Sequence, residues 1–117
     1  MNFFELLFGK PVSTINAQEL NGRLKNGKRP LVIDVRQPDE YRTGHILGAK
    51  LIPLNKLSGR MNELPQNREI ICVCASGNRS DSATRMLVKA GFNAFNMKGG
   101  MNAWRQANLP VKKGDAA

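Results

Sequence analysis

Two segments of the chain, Leu31–Val35 and Ile70–Cys74, are apolar almost without interruption and show no alternation of period two. Strands of that kind are covered on both faces, as central strands of a parallel sheet are. Elsewhere the spacing turns helical. Ala83, Met86, Leu87 and Ala90 recur at i, i+3, i+4 and i+7, with Ser82, Thr84, Arg85 and Lys89 largely opposite and Gly91 to close. This predicts an amphipathic helix starting near Ser80. Asn16 and Glu19 have the form of a capping box, Ala17, Leu20 and Leu24 share one face, and Gly27 fits a C-cap, which predicts a helix over about 17–26. Ala49–Pro53 and Ala94–Met97 read as short strands, and Asn55–Leu64 and Met101–Ala107 as short helices. Strands alternating with helices predict an open α/β sheet with right-handed crossovers.

The ends of the chain differ from this pattern. Residues 1–11 form an apolar segment that Glu5 interrupts and Gly9-Lys10-Pro11 stops. It is too short to span a bilayer, which takes about 20 residues, and it lacks the basic flank and cleavage site of a secretory signal. Phe3, Phe4, Leu6, Leu7 and Phe8 are expected to dock on the domain's own surface, in preference to a partner or a membrane. Residues 12–111 read as the domain, and 112–117 as a polar tail expected to fray.

Composition sharpens the picture in three ways. A length of 117 residues is that of one domain. The 18 Lys and Arg outnumber the 9 Asp and Glu, giving a net charge of +9 that favours anionic partners. No basic run exceeds two residues and aromatic residues are few, so a nucleic-acid stacking platform is not expected. Two Cys and one His suit neither a disulfide framework nor a structural zinc site. The expectation is a reduced, cytoplasmic protein.

The chemistry concentrates in Cys74-Ala-Ser-Gly-Asn-Arg-Ser80, between an apolar strand and the most regular helix. Ligands in open α/β sheets bind beyond the carboxyl ends of the strands, which is where Cys74 falls. Gly77 permits a tight loop in which the amides of residues 75–79 converge on the Cys74 sulfur above a helix N-terminus. Such a cradle favours the thiolate, the nucleophilic form, and Arg79 adds positive charge.

Three stretches together resemble a single-domain rhodanese, a sulfurtransferase module. They are Leu31–Arg36 with Glu40–Ala49 and Ile52-Pro-Leu54, the Cys74–Ser80 loop, and Gly99-Gly-Met-Asn-Ala-Trp104 with Leu109-Pro-Val111. The resemblance implies a three-layer α/β fold, with a five-stranded parallel sheet and helices on both faces, and neither metal nor organic cofactor. It implies that Cys74 is the nucleophile, taking sulfur from thiosulfate or a persulfide donor and passing it to a thiol, cyanide or a protein acceptor. Ala75, Ser76, Gly77, Asn78, Arg79 and Ser80 would form the loop that holds the persulfide, with Asp34 and Arg36 supporting it. Ala75 stands where many family members carry Arg or another polar side chain, which implies a weaker hold on the sulfonate of thiosulfate. Two alternatives stay open: a persulfide carrier or interaction module with little small-molecule turnover, and a Cys-dependent phosphatase or arsenate reductase. Those oxyanion enzymes place one more residue between Cys and Arg than this loop does. The oligomeric state is expected to be a monomer or a weak homodimer.

Three other features invite roles. Cys72 sits two residues from Cys74, and alternate Cα atoms of a strand lie about 6.5 Å apart, an awkward span for a disulfide, so Cys72 is read as core. The resemblance places His45 in a structural Gly44-His-Ile46 turn, which is preferred to a general-base role. Gly99-Gly100 lacks the following Lys-Ser/Thr of a phosphate loop and reads as the turn into the last helix.

Overall fold

The structure is a computed structural model that describes residues 2–117. Five parallel strands, β1 (Thr14–Ile15), β2 (Leu31–Asp34), β3 (Lys50–Leu51), β4 (Ile70–Val73) and β5 (Ala94–Met97), form one sheet in the order β1-β5-β4-β2-β3. The two unbroken apolar runs are the central strands β2 and β4, paired with Asp34 opposite Val73. Alternate residues of each enter opposite cores. Val32, Ile71 and Val73 pack on one face with Leu20, Tyr41, Met101 and Trp104, while Ile33, Ile70, Cys72 and Cys74 pack on the other with Leu57, Ala83 and Leu87. The first face is covered by α2 (Ala17–Arg23), α3 (Pro38–Thr43) and α6 (Gly100–Gln106), the second by α4 (Leu54–Leu57) and α5 (Asn78–Lys89). This is the three-layer α/β arrangement expected.

Local chemistry explains where elements depart from expectation. Helix α2 starts as predicted, with Asn16 Oδ1 accepting from the Glu19 amide at 2.8 Å. It ends at Arg23 instead of near residue 26, because Lys25 and Asn26 bond three residues back, to Gly22 and Arg23, in a tightened last turn. The single helix expected over Asn55–Leu64 is α4 followed by a separate 3₁₀ turn at Met61–Glu63, with Gly59 between them. Helix α3 had no counterpart in the pattern. Its start is built by Pro38 and by Glu40, whose Oε1 accepts from the Gln37 amide at 3.0 Å.

Both ends differ from expectation. Residues Phe3–Phe8 form a helix, α1, on which Phe3, Phe4, Leu6 and Leu7 are largely exposed in place of the expected burial against the domain; the Phe8 side chain, part of the same expectation, lies outside the described residues. The tie to the domain comes after it, where Arg85 Nη1 donates to the Lys10 carbonyl at 2.6 Å. The tail is not frayed: Lys112 pairs with His45 in an antiparallel bridge and the Gly114 amide donates to the Arg42 carbonyl at 2.9 Å. Among the described residues no helix is long and apolar enough to cross a membrane.

Candidate active site

Strand β4 ends at Val73, and the next residue, Cys74, opens the loop into α5. Gly77 reverses the chain at φ +104°, a conformation that a side chain would strain. That turn brings the Gly77 amide to 3.1 Å from Cys74 Sγ, and the first turn of α5 brings Ser80 Oγ to 3.2 Å. Of the amides expected to converge, those of residues 75–79, only Ser76 and Gly77 act on the sulfur, and they are joined by the Ser80 amide from outside that set. Burial alone raises the thiol's pKa, but the Ser80 hydroxyl and these three amides outweigh it, so Cys74 sits below an ordinary thiol.

The loop's carbonyls are held on the other side. The Cys74 carbonyl accepts from the Met101 amide at 2.8 Å and that of Ala75 from the Asn102 amide at 3.0 Å, both in the first turn of α6. The Gly77 carbonyl accepts from Asn96 Nδ2 at 3.0 Å. With these carbonyls pulled outward, the amides of the loop are free to face inward. Gly100 makes the approach possible: a Cβ there would lie 2.5 Å from the carbonyl oxygens of both Cys74 and Ala75. The Gly99-Gly100 turn therefore does more than start α6, since it seats α6 against the loop.

Arg79 does not sit on the sulfur. It forms a two-pronged pair with Glu40 of α3, at 2.8 and 2.9 Å, which holds the Glu40 carboxyl down at about 2. The pair ties the loop to α3 and leaves the Arg79 charge within electrostatic range of Cys74. Asp34 and Arg36, one strand over, form a buried pair at 2.7 Å, and Arg36 Nη2 also donates to the Gly44 carbonyl at 2.9 Å. Both side chains are thereby spent on the loop after β2. Ala75 and Arg79 are half-buried and Ser76 and Asn78 exposed, beside a cleft of about 310 Å³ that Asn96 and Lys98 also line. A larger cavity of about 600 Å³ lies at the opposite, amino-terminal end of β2 and β4, lined by Arg29 and Arg68, away from the chemistry.

The other tempting residues find structural partners. Cys72 is fully buried, its thiol pushed up to about 12 by burial, against the opposing hydrogen bond of Thr84. His45 stacks on Tyr41 with ring centroids 3.6 Å apart, and its nitrogens lie 2.9 and 2.8 Å from the carbonyls of Tyr41 and Ala116. Among the described residues no cluster of His, Cys, Asp or Glu is placed to hold a metal ion. The sequence reading missed Glu40, Asn96 and the first turn of α6 as parts of the site. Asn96 carried a signal, a polar residue inside an otherwise apolar strand.

Residues 16–107 match the Rhodanese-like domain. The chain belongs to that family. It is 34% identical over 101 residues to a sulfurtransferase of Allochromatium vinosum, covering 86% of this chain and 94% of that one. It is 43% identical over 74 residues to a putative sulfur carrier protein of Bacillus subtilis, covering 62% of this chain and 40% of that longer protein. Among solved structures, a rhodanese-related protein from Thermoplasma volcanium superposes with a TM-score of 0.80 at 32% identity, over 86% of this chain and 97% of that one. The rhodanese-like fold thus joins a Cys loop whose backbone and hydroxyl donors face the sulfur.

Proposed function

We propose that the protein is a rhodanese-type sulfurtransferase working through a persulfide on Cys74. The observation that carries this reading is the set of donors on Sγ, the Gly77 amide at 3.1 Å and the Ser80 hydroxyl at 3.2 Å, in a member of the rhodanese-like family. The Cys74 thiolate attacks the outer sulfur of thiosulfate; the sulfur–sulfur bond breaks, sulfite leaves with its electron pair, and Cys74 keeps the sulfur as a persulfide. A thiolate, cyanide or protein cysteine then attacks that outer sulfur, and Cys74 departs as thiolate. The loop amides stabilise negative charge in both states, as an oxyanion hole does. Asp34 and Arg36 act by holding the loop after β2. The loop, one residue shorter than that of the Cys-dependent phosphatases, suits a sulfur atom better than a tetrahedral oxyanion. Two unpaired thiols suit a reducing, cytosolic setting.

A second reading, a persulfide carrier that turns over little on small molecules, draws on two observations. Cys74 has no exposed surface, and Ala75 offers no side-chain charge to a sulfonate. Thiocyanate formation from thiosulfate and cyanide separates the two. Saturable turnover that Cys74→Ala abolishes supports the enzyme; a single stoichiometric loading with slow release supports the carrier. Turnover that persists in Cys74→Ala rules out both.

A further inference from the structure

Ser80 has one hydroxyl proton and two acceptors for it. Its Oγ lies 2.6 Å from Asn96 Oδ1 and 3.2 Å from Cys74 Sγ. The Asn96 amide is fixed in orientation, because its Nδ2 donates to the Gly77 carbonyl, and the reversed amide would set two oxygens against each other. Oδ1 therefore faces the hydroxyl as an acceptor. Asn96 is 7% exposed, and Ser80 and Cys74 are fully buried. Two buried acceptors thus share a single proton.

We propose that Asn96 is a positioning residue that competes with Cys74 for the Ser80 proton and so sets how readily Cys74 ionises. With Cys74 as the thiol, Ser80 donates to Asn96 across the shorter distance, and its oxygen accepts the S–H. When Cys74 releases its proton to solvent, the hydroxyl turns to the sulfur. Asn96 Oδ1 then faces the Ser80 oxygen with no proton between them, a cost borne by the thiolate alone. Asn96 so opposes the loop amides. Under the sulfur-transfer reading, on which the functional meaning rests, a Cys74 persulfide carries its charge on the outer sulfur and the hydroxyl returns to Asn96. The site then favours holding sulfur over standing as a bare thiolate.

Charged and titratable groups surround the sulfur on each packed element. Arg79 of α5 is tied to Glu40 of α3, Asp34 at the end of β2 pairs with Arg36 just beyond it, Cys72 lies on β4, and Asp81 and Lys98 line the cleft beside Asn96. Among the described residues none of these bonds to Ser80 Oγ, so the competition is confined to Asn96 and Cys74.

The test is the ultraviolet absorbance of the thiolate in the full chain, titrated over about pH 5 to 9. Cys72, at about 12, and Tyr41, raised by burial, stay protonated over that range. Asn96→Leu is expected to lower the apparent pKa of Cys74 by roughly 0.5 to 1. In a Ser80→Ala background, adding Asn96→Leu is expected to give no decrease, leaving only the small rise that freeing the Gly77 carbonyl brings. A purely structural Asn96 would loosen the Gly77 turn and raise the pKa instead. An increase, no change, or an equal decrease without Ser80 overturns the inference. Asn96→Ala, which only truncates, carries the same expectation should the leucine variant not fold. No sulfur donor enters the titration, so its outcome is separate from whether the protein transfers sulfur.

Discussion

Cys72 and Cys74 stand two residues apart, point into the same core and are both fully buried, yet burial raises the first to about 12 while the second sits below an ordinary thiol. The difference lies in the donors: Cys74 has three amides and a hydroxyl, which β4 cannot offer Cys72 because its own amides are spent on the neighbouring strands. The sequence already separated the two, since only Cys74 is followed by a Gly-containing turn into a helix. It did not reveal that Arg79 serves Glu40 more directly than Cys74, because the partner lies 39 residues away on α3. Glu40 is held at about 2 against an ordinary 4.5, so its stabilising contribution is complete above about 4.5 and lost as pH falls towards 2. Both partners are about one-third exposed, so solvent screening limits the pair to less than about 1 kcal/mol. Glu40→Gln should therefore cost less than about 1 kcal/mol near neutral pH and flatten the acid limb of chemical unfolding measured between about pH 4.5 and 2. An acid limb as steep as the parent's would show that the pair contributes nothing to folding.

At the scale of elements, periodicity and caps were legible wherever the core itself imposes them. Helix α5 shows the 3.6-residue spacing because Ala83 and Leu87 face β4 and β5, and the central strands show unbroken apolarity because both faces are covered. Strand β1 was not legible: it is two residues long and exists through its pairing with β5. Helix α6 was foreseen as an element but not in its role, because the sequence does not show that its first turn binds the carbonyls of Cys74 and Ala75. That role yields a prediction. Gly100→Ala adds a Cβ 2.5 Å from two loop carbonyl oxygens at a φ of +58°, and should destabilise the fold by about 2–4 kcal/mol in chemical denaturation. In the folded fraction it should also slow Cys74 alkylation at neutral pH, as the loop amides turn away from the sulfur. A stable variant with parental alkylation would remove α6 from the account.

Over the whole molecule, the sheet gathers the ends of β2, β4 and β5 along one edge, and that edge supplies Arg36, Cys74 and, beyond Met97, the turn into α6. The three family stretches, far apart in the chain, meet there, which is why their order carried so much of the fold. The termini escaped the same reading because polarity alone does not say whether a tail is held. Residues 112–116 are tied by backbone bonds and by the buried His45, while Phe3, Phe4, Leu6 and Leu7 of α1 stay exposed. The central claim is that Cys74 accepts and holds one sulfur atom. The intact mass of the protein after incubation with thiosulfate, beside a Cys74→Ser variant, tests it most directly. The account predicts a gain of one sulfur that a thiol reductant removes and that the variant lacks. No gain from thiosulfate or from a thiol persulfide donor, or an equal gain in the variant, would contradict it.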